Sequence, residues 1–167
     1  MRHFGIVLCF LLTLALPCAP QSSAPNGIAQ LQYFLGEWDC AGKFVRSGKS
    51  IEAHLKFEAV LDQKFMLFQH DDKPPHNYHA LAEWGWDETG KRFVSTVQDS
   101  SGGSRLFHAS GWQGAQLTWE GGSIGSADDQ QFLFEKLPPQ QFRISYAVQK
   151  NGSWTTVDVS ICTKTGS

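Results

Sequence analysis

The chain has 167 residues, with 14 basic and 16 acidic side chains and 41% hydrophobic residues. This length suits one domain with a hydrophobic core, and the lack of any basic block in the sequence argues against a nucleic-acid partner. The first feature in chain order is an apolar run from Ile6 to Leu16, which follows Arg2 and precedes small and turn-forming residues. This order of charged, apolar and small segments is typical of a secretory signal peptide.

Residues 1–24 are therefore predicted to be a signal peptide that is removed, with the position of the cut left open. The alternative is a membrane anchor. However, the run has eleven residues, interrupted only by Thr13; it rises only about 16 Å as a helix, and a spanning helix needs about 20 residues. Removal leaves residues 25–167 with a net charge of −3 and no further apolar run of membrane length. We expect an exported protein, periplasmic or secreted, whose oligomeric state the sequence does not specify.

A short helix is expected at about 28–35, at the start of the mature domain. Ile28, Leu31 and Leu35 lie at helical spacing. Gly36 follows, in the position where glycine commonly ends a helix.

Strand patterns dominate the rest of the chain. Apolar and polar residues alternate from Ile51 to Glu58 and again from Phe142 to Gln149, which is the pattern of half-buried antiparallel strands. The connections are short, and Asn151-Gly152 is typical of a tight hairpin turn. The ten predicted segments are approximately 37–46, 50–61, 64–70, 78–86, 92–98, 104–112, 115–120, 130–137, 141–149 and 153–163.

Many short strands, one helix and no visible repeat or linker predict a single all-β domain, either a sandwich or a barrel. We favour a single antiparallel up-and-down β-barrel of about 8–10 strands, with the short helix at one end. Consecutive tight hairpins form a meander, and closing that meander removes its exposed edges. Closure would also bring the first and last strands together.

Two cysteines remain in the mature chain, because Cys9 and Cys18 lie in the predicted signal peptide. In a closed antiparallel barrel, Cys40 on the first strand lies opposite Cys162 on the last. Neighbouring strands are about 4.8 Å apart, within the reach of a disulfide. A Cys40–Cys162 disulfide is therefore predicted for an exported protein. Two buried free thiols are the alternative, because a slip of one residue would send the side chains to opposite faces.

Two groups of motifs carry a family resemblance. A short helix followed by Leu35-Gly36-x-Trp38 is similar to the start of calycin-type barrels, which include lipocalins, fatty-acid-binding proteins and nitrobindin-like proteins. The stretch Gly85-Trp86-Asp87, Lys91-Arg92-Phe93-Val94 and Asp99-Ser100-Ser101-Gly102 resembles a family of bacterial, often exported, lipocalin-like proteins of unknown function. The resemblance covers about residues 28–163 and implies a calycin-like barrel for the mature chain.

The segment from His70 to His79 holds the densest set of potential metal ligands, including His76. A metal site is not predicted there, because Pro74-Pro75 leaves no helix to place His76 and His79 on one face. Nitrobindin-like barrels bind haem through a histidine on a late strand, whereas the last histidine in this sequence is His108. Haem binding is therefore not expected, and no cofactor is predicted.

A barrel of about ten strands is wide enough to enclose a small ligand, and the chain has six Trp and twelve Phe residues that could line it. Arg105 or Arg143 would suit an apolar molecule with an anionic head. For each aromatic residue, ordinary core packing is the alternative. The candidate ligand-binding residues are Phe68, Trp84, Trp86, Arg105, Trp119 and Arg143.

The favoured function is non-enzymatic binding of a small apolar or amphipathic molecule. No catalytic residues are assigned, because no Gly-x-Ser-x-Gly motif or similar pattern is present in the sequence. The alternatives are an isomerase- or hydrolase-type enzyme that uses the same cavity, and a structural or interaction module with a filled interior. An apolar cavity would favour binding, whereas convergent titratable groups with shifted pKa values would favour an enzyme.

Overall fold

The computed structural model describes residues 27–166, which form one short helix and ten strands. The predicted signal peptide, residues 1–24, lies outside these residues. The strands are β1 (Gly36–Phe44), β2 (Ser50–Val60), β3 (Phe65–Asp72), β4 (His79–Asp87), β5 (Arg92–Asp99), β6 (Ser104–Ala109), β7 (Gln116–Ser123), β8 (Gln130–Leu137), β9 (Gln141–Lys150) and β10 (Ser153–Gly166).

The strands form a closed antiparallel barrel. Each strand pairs with the next one along the chain, and β1 pairs with β10. The predicted up-and-down barrel is therefore confirmed, and closure leaves the sheet without a free edge. From residue 27 to residue 166, no helix is long and apolar enough to cross a membrane.

The predicted N-terminal helix is confirmed as a 3₁₀ helix, Gly27–Phe34. Ile28, Leu31 and Phe34 are buried, so the helix packs one side against the barrel. Gly36 has a φ of +107°. Glycine adopts this conformation without a steric penalty, and the chain therefore turns sharply from the helix into β1.

Aromatic side chains fill the barrel at the helix end. The ring of Phe34 lies 5.2–5.6 Å, centroid to centroid, from those of Phe57, Trp84, Trp112, Phe134 and Phe142. Trp38 is buried beside them, and its Nε1–H donates a 2.6 Å hydrogen bond to the carbonyl oxygen of Phe34. The helix thus closes this end of the barrel, and the Gly-x-Trp motif anchors it there.

The ladder between β1 and β10 carries the disulfide. Cys40 lies opposite Cys162 in the register, their Cα atoms are 4.0 Å apart, and the two sulfurs are bonded. The predicted disulfide is therefore confirmed. Two residues further along β1, a Cβ on Gly42 would lie 2.2 Å from the carbonyl oxygen of Val159. A glycine at this position therefore lets the two strands approach closely.

A β-bulge interrupts β10 where it pairs with β9. The register shifts between Thr156 and Asp158, and bulges of this kind redirect the side chains that follow them. Asp158 and Ser160 consequently line the interior together with Cys40, the disulfide partner of Cys162. The last strand therefore places polar side chains inside the barrel.

Candidate functional site

The half of the barrel away from the helix holds a cavity of about 360 Å³. This volume is at the lower end of the roughly 300–1,000 Å³ typical of small-molecule sites. Trp84, Trp119 and Phe134 form its floor, where it meets the aromatic layer, and the rings of Trp84 and Trp119 lie 4.9 Å apart. The lining is mainly aliphatic and aromatic, so the cavity suits the apolar part of a small molecule.

Four of the six candidate ligand-binding residues line this cavity: Phe68, Trp84, Arg105 and Trp119. The structure places the other two elsewhere. Trp86 packs against Phe93, with ring centroids 4.9 Å apart. Arg143 forms an ion pair with Glu135, and its side chain is 43% exposed. Alternation along β9 directs Arg143 outward, so it cannot recognise an anionic head inside the barrel.

Arg105 lies in the cavity wall with a side chain that is 13% exposed, and its charge is already compensated. Its Nη2 donates to Oδ2 of Asp99 at 2.7 Å and to the hydroxyl of Tyr78 at 2.6 Å. The other carboxylate oxygen of Asp99 accepts hydrogen bonds from the backbone N–H groups of Ser101 and Gly103. The Asp-Ser-x-Gly turn therefore holds the carboxylate that neutralises Arg105.

His70 and Asp72 form a second polar pair at the same end of the cavity. They are two residues apart on β3 and both line the cavity. The His70 Nε2 atom is 2.8 Å from Oδ1 of Asp72. The His70 side chain retains 24% exposure, so this end of the cavity is reached by solvent.

The histidines of the segment from His70 to His79 do not converge. His79 pairs with Asp71 through Nδ1 and Oδ1 atoms 2.7 Å apart, and both side chains are 54% exposed. His76 lies against Phe44 at the end of β1. Over residues 27–166, no three histidine, cysteine or acidic side chains are arranged to hold a metal ion.

Asp158 is the most strongly perturbed titratable group in the cavity. Burial raises the pKa of its carboxyl to about 6. The nearby charge of Asp72 adds to this rise, while the charge of His70 and a hydrogen bond from the backbone N–H of Tyr146 oppose it. Asp158 therefore changes its charge close to physiological pH.

Stability should depend on pH through Asp158. Its folded pKa of about 6 lies above the ordinary value of 3.8, so the folded state binds this proton more tightly than the unfolded chain does. The resulting stability is present below about pH 4 and is lost as the pH rises through about 6. Relative to Asp158→Asn, the protein is expected to lose up to about 3 kcal/mol of unfolding free energy between pH 4 and pH 7. Urea denaturation of both proteins measures this difference, and parallel curves would contradict it.

Three buried polar atoms of residues that line the cavity have no hydrogen-bond partner among residues 27–166. They are Nε of Arg105, Oγ of Ser95 and Nε1 of Trp119, and the last two residues are 2% and 1% exposed. An unsatisfied buried donor costs about 1–3 kcal/mol. A molecule in the cavity that places a hydrogen-bond acceptor next to one of these atoms would recover that energy.

Four further residues of the cavity lining, Asp72, Tyr78, Tyr146 and Asp158, are not predicted from the sequence, which indicates His70 only as a potential metal ligand. For β3, the sequence does contain the necessary information. Phe68, His70 and Asp72 are alternate residues of one strand and therefore lie on the same face, so His70 and Asp72 point inward if Phe68 does. Polar residues at inward positions are difficult to predict, because the inner face of a strand is normally identified by its apolar side chains.

No known protein-family model matches this sequence, and no curated protein matches it at a significant level. The fold itself is informative, because a ten-stranded antiparallel barrel with a short helix at one end fits a calycin- or lipocalin-like fold. The resemblance inferred from the sequence motifs is therefore supported as far as the architecture.

Proposed function

We propose that this protein is an exported, non-enzymatic barrel that binds a small apolar or amphipathic molecule, and that it belongs to the bacterial lipocalin-like family its motifs resemble. The observation that carries the proposal is the cavity of about 360 Å³ inside the closed barrel. Its lining is mainly apolar, with a few convergent polar groups, which is the composition of small-molecule sites. Oxidising compartments favour disulfides, and the Cys40–Cys162 bond therefore supports export.

The cavity suits a ligand that has two chemically different parts. The floor at Trp84, Trp119 and Phe134 suits an apolar body, because burying apolar surface there is favourable by about 25 cal/mol per Å². The unpartnered Oγ of Ser95 and Nε1 of Trp119 belong to the same apolar part of the lining. Polar side chains, including Arg105, cluster beyond them. An amphipathic molecule with its apolar end toward the helix fits this order.

Filling the cavity should abolish binding. Ala80 on β4 lines the cavity, so Ala80→Phe places a ring in the space a ligand would occupy. We expect the affinity for the neutral fluorescent probe N-phenyl-1-naphthylamine to fall by at least about tenfold, which corresponds to about 1.4 kcal/mol. A fluorescence titration of both proteins measures the change.

Leu81→Phe is the matched control, because Leu81 is the next residue on β4, points outward and is 42% exposed. It should bind the probe as the unmodified protein does. The proposal fails if the unmodified protein does not bind the probe, or if Ala80→Phe and Leu81→Phe bind it equally well.

Asp158 supports a second candidate, an enzyme that transfers a proton within the cavity. A carboxyl group with a pKa of about 6 is suited to general acid–base catalysis near neutral pH. Native mass spectrometry of the protein isolated from its own host distinguishes the two candidates. A binding protein retains an intact ligand, whereas an enzyme converts the retained molecule into a product of altered mass or structure.

A further inference from the structure

We propose that the molecule held in the cavity carries a positive charge, such as a protonated amine or quaternary ammonium group, at the end that lies near Asp72 and Asp158. This inference rests on the proposed binding function and specifies the chemical class of the ligand. It concerns the polar end of the cavity, defined by His70, Asp72, Tyr78, Arg105, Tyr146 and Asp158.

The charges at the polar end do not cancel. Arg105 is the only side chain there with a permanent positive charge among residues 27–166, and Asp99 neutralises it through a 2.7 Å ion pair. Asp72 and the ionised form of Asp158 remain. His70 can compensate one of these two carboxylates when it is protonated, so a net negative charge persists in either state of His70 as long as Asp158 is ionised.

A cation would remove this imbalance. Buried carboxylates are stable when they are paired with positive charge or accept hydrogen bonds. The aromatic rings around the carboxylates favour the same ligand class, because a cation is attracted to the faces of aromatic rings within about 6 Å. Tyr78 and Tyr146 provide such rings, and the Tyr146 ring stacks on Phe132 with centroids 4.9 Å apart.

The ligand is an organic cation rather than a metal ion. No metal-binding group of three side chains exists within residues 27–166, while most of the cavity is apolar. Ser95 and Trp119 are at least nine-tenths buried and line the cavity, and the Oγ and Nε1 atoms of these two residues have no hydrogen-bond partner within residues 27–166. These unpartnered atoms point to an occupant that extends from the polar end into the apolar part, which a bare ion does not do.

The pH dependence follows from the groups around Asp158. β1 and β2 contribute the apolar side chains Phe44 and Ile51, so they add no charge. The titratable or charged side chains that share this end with Asp158 are His70 and Asp72 from β3, Tyr78 from the loop before β4, Arg105 from β6 and Tyr146 from β9. Burial raises the pKa values of Tyr78 and Tyr146, and both hydroxyls therefore remain uncharged at neutral pH. Affinity for a cation should fall as acidification protonates Asp158.

Three probes of nearly equal shape and different charge test the proposal: 3-phenylpropylamine, 3-phenylpropanol and 3-phenylpropionate. At pH 7.5, isothermal titration calorimetry should show the amine binding at least about tenfold more tightly than the alcohol, the strength of one charge-assisted hydrogen bond. The propionate should bind most weakly. Between pH 7.5 and pH 5 the preference for the amine over the alcohol should decrease by about tenfold.

Asp158→Asn should remove most of the preference for the amine over the alcohol, together with the pH dependence of that preference. Asp71→Asn is the matched control, because Asp71 is adjacent to Asp72 but lies on the outer face with 54% exposure. Circular dichroism checks that each variant is folded.

The inference is overturned if the amine binds no more tightly than the alcohol, or if its advantage survives both Asp158→Asn and Asp72→Asn. Failure of the unmodified protein to bind N-phenyl-1-naphthylamine would instead refute the proposed binding function. Binding of the alcohol without a preference for the amine would refute the charge assignment alone.

Discussion

Replacing both cysteines, Cys40→Ser together with Cys162→Ser, is expected to lower the free energy of unfolding by about 4–5 kcal/mol. The two residues are separated by 122 positions. The bond therefore closes a loop that includes nearly the whole barrel, and it restricts the unfolded chain strongly. Equilibrium denaturation in guanidinium chloride measures the loss. This loss is a large fraction of the total stability of a folded protein, which is usually about 5–15 kcal/mol.

Reduction provides the control for this prediction. The unmodified protein in the presence of a reductant should denature at the same midpoint as the double serine variant, and the reductant should not change the variant itself. A loss below about 1 kcal/mol would contradict the expected effect of so long a loop.

The second large effect is expected from Arg105→Met, which should cost about 3–5 kcal/mol of stability. The substitution leaves Asp99 without its cationic partner. Both side chains of the pair are largely shielded from solvent, since Arg105 is 13% exposed and Asp99 is 8% exposed. An uncompensated buried carboxylate is unfavourable because the surrounding protein solvates it poorly. Chemical denaturation at pH 7 measures the cost.

Arg143→Met is the matched control for Arg105→Met. Arg143 also pairs with a carboxylate, that of Glu135, but its side chain is 43% exposed. An exposed ion pair contributes about 0–1 kcal/mol, so the control should be nearly neutral. Adding Asp99→Asn to Arg105→Met should restore a large part of the lost stability, because position 99 then carries no charge that lacks a partner. Equal losses for the two arginine variants would contradict this account.

The fold was predictable because the sequence repeats a simple pattern. Alternation on strands such as Ile51 to Glu58 predicted half-buried antiparallel strands, and short turns predicted their order. The Cys40–Cys162 disulfide followed from the same reasoning, since closure places the first and last strands side by side. The helix was found at 28–35, within one residue of its observed bounds, although periodicity alone did not distinguish a 3₁₀ helix from an α-helix.

The candidate site was less predictable, and β10 shows why. The apolar residues Val159 and Ile161 face outward there, whereas Asp158, Ser160 and Cys162 face inward. The usual rule that apolar side chains mark the inner face therefore gives the opposite orientation for this strand. Arg143 is the reverse case, because alternation with Phe142 and Ile144 already indicated an outward position. Its charge alone made it a candidate for the cavity.

The barrel has an even number of antiparallel strands, so its first strand begins and its last strand ends at the same pole. β1 begins and β10 ends beside the 3₁₀ helix, with Glu37 opposite Gly166 in the ladder. Residues 27 and 166 therefore both lie at this pole of the barrel, and the polar end of the cavity lies at the other pole. A tag, tether or fused domain joined at either position would leave the cavity directed toward the surrounding solution.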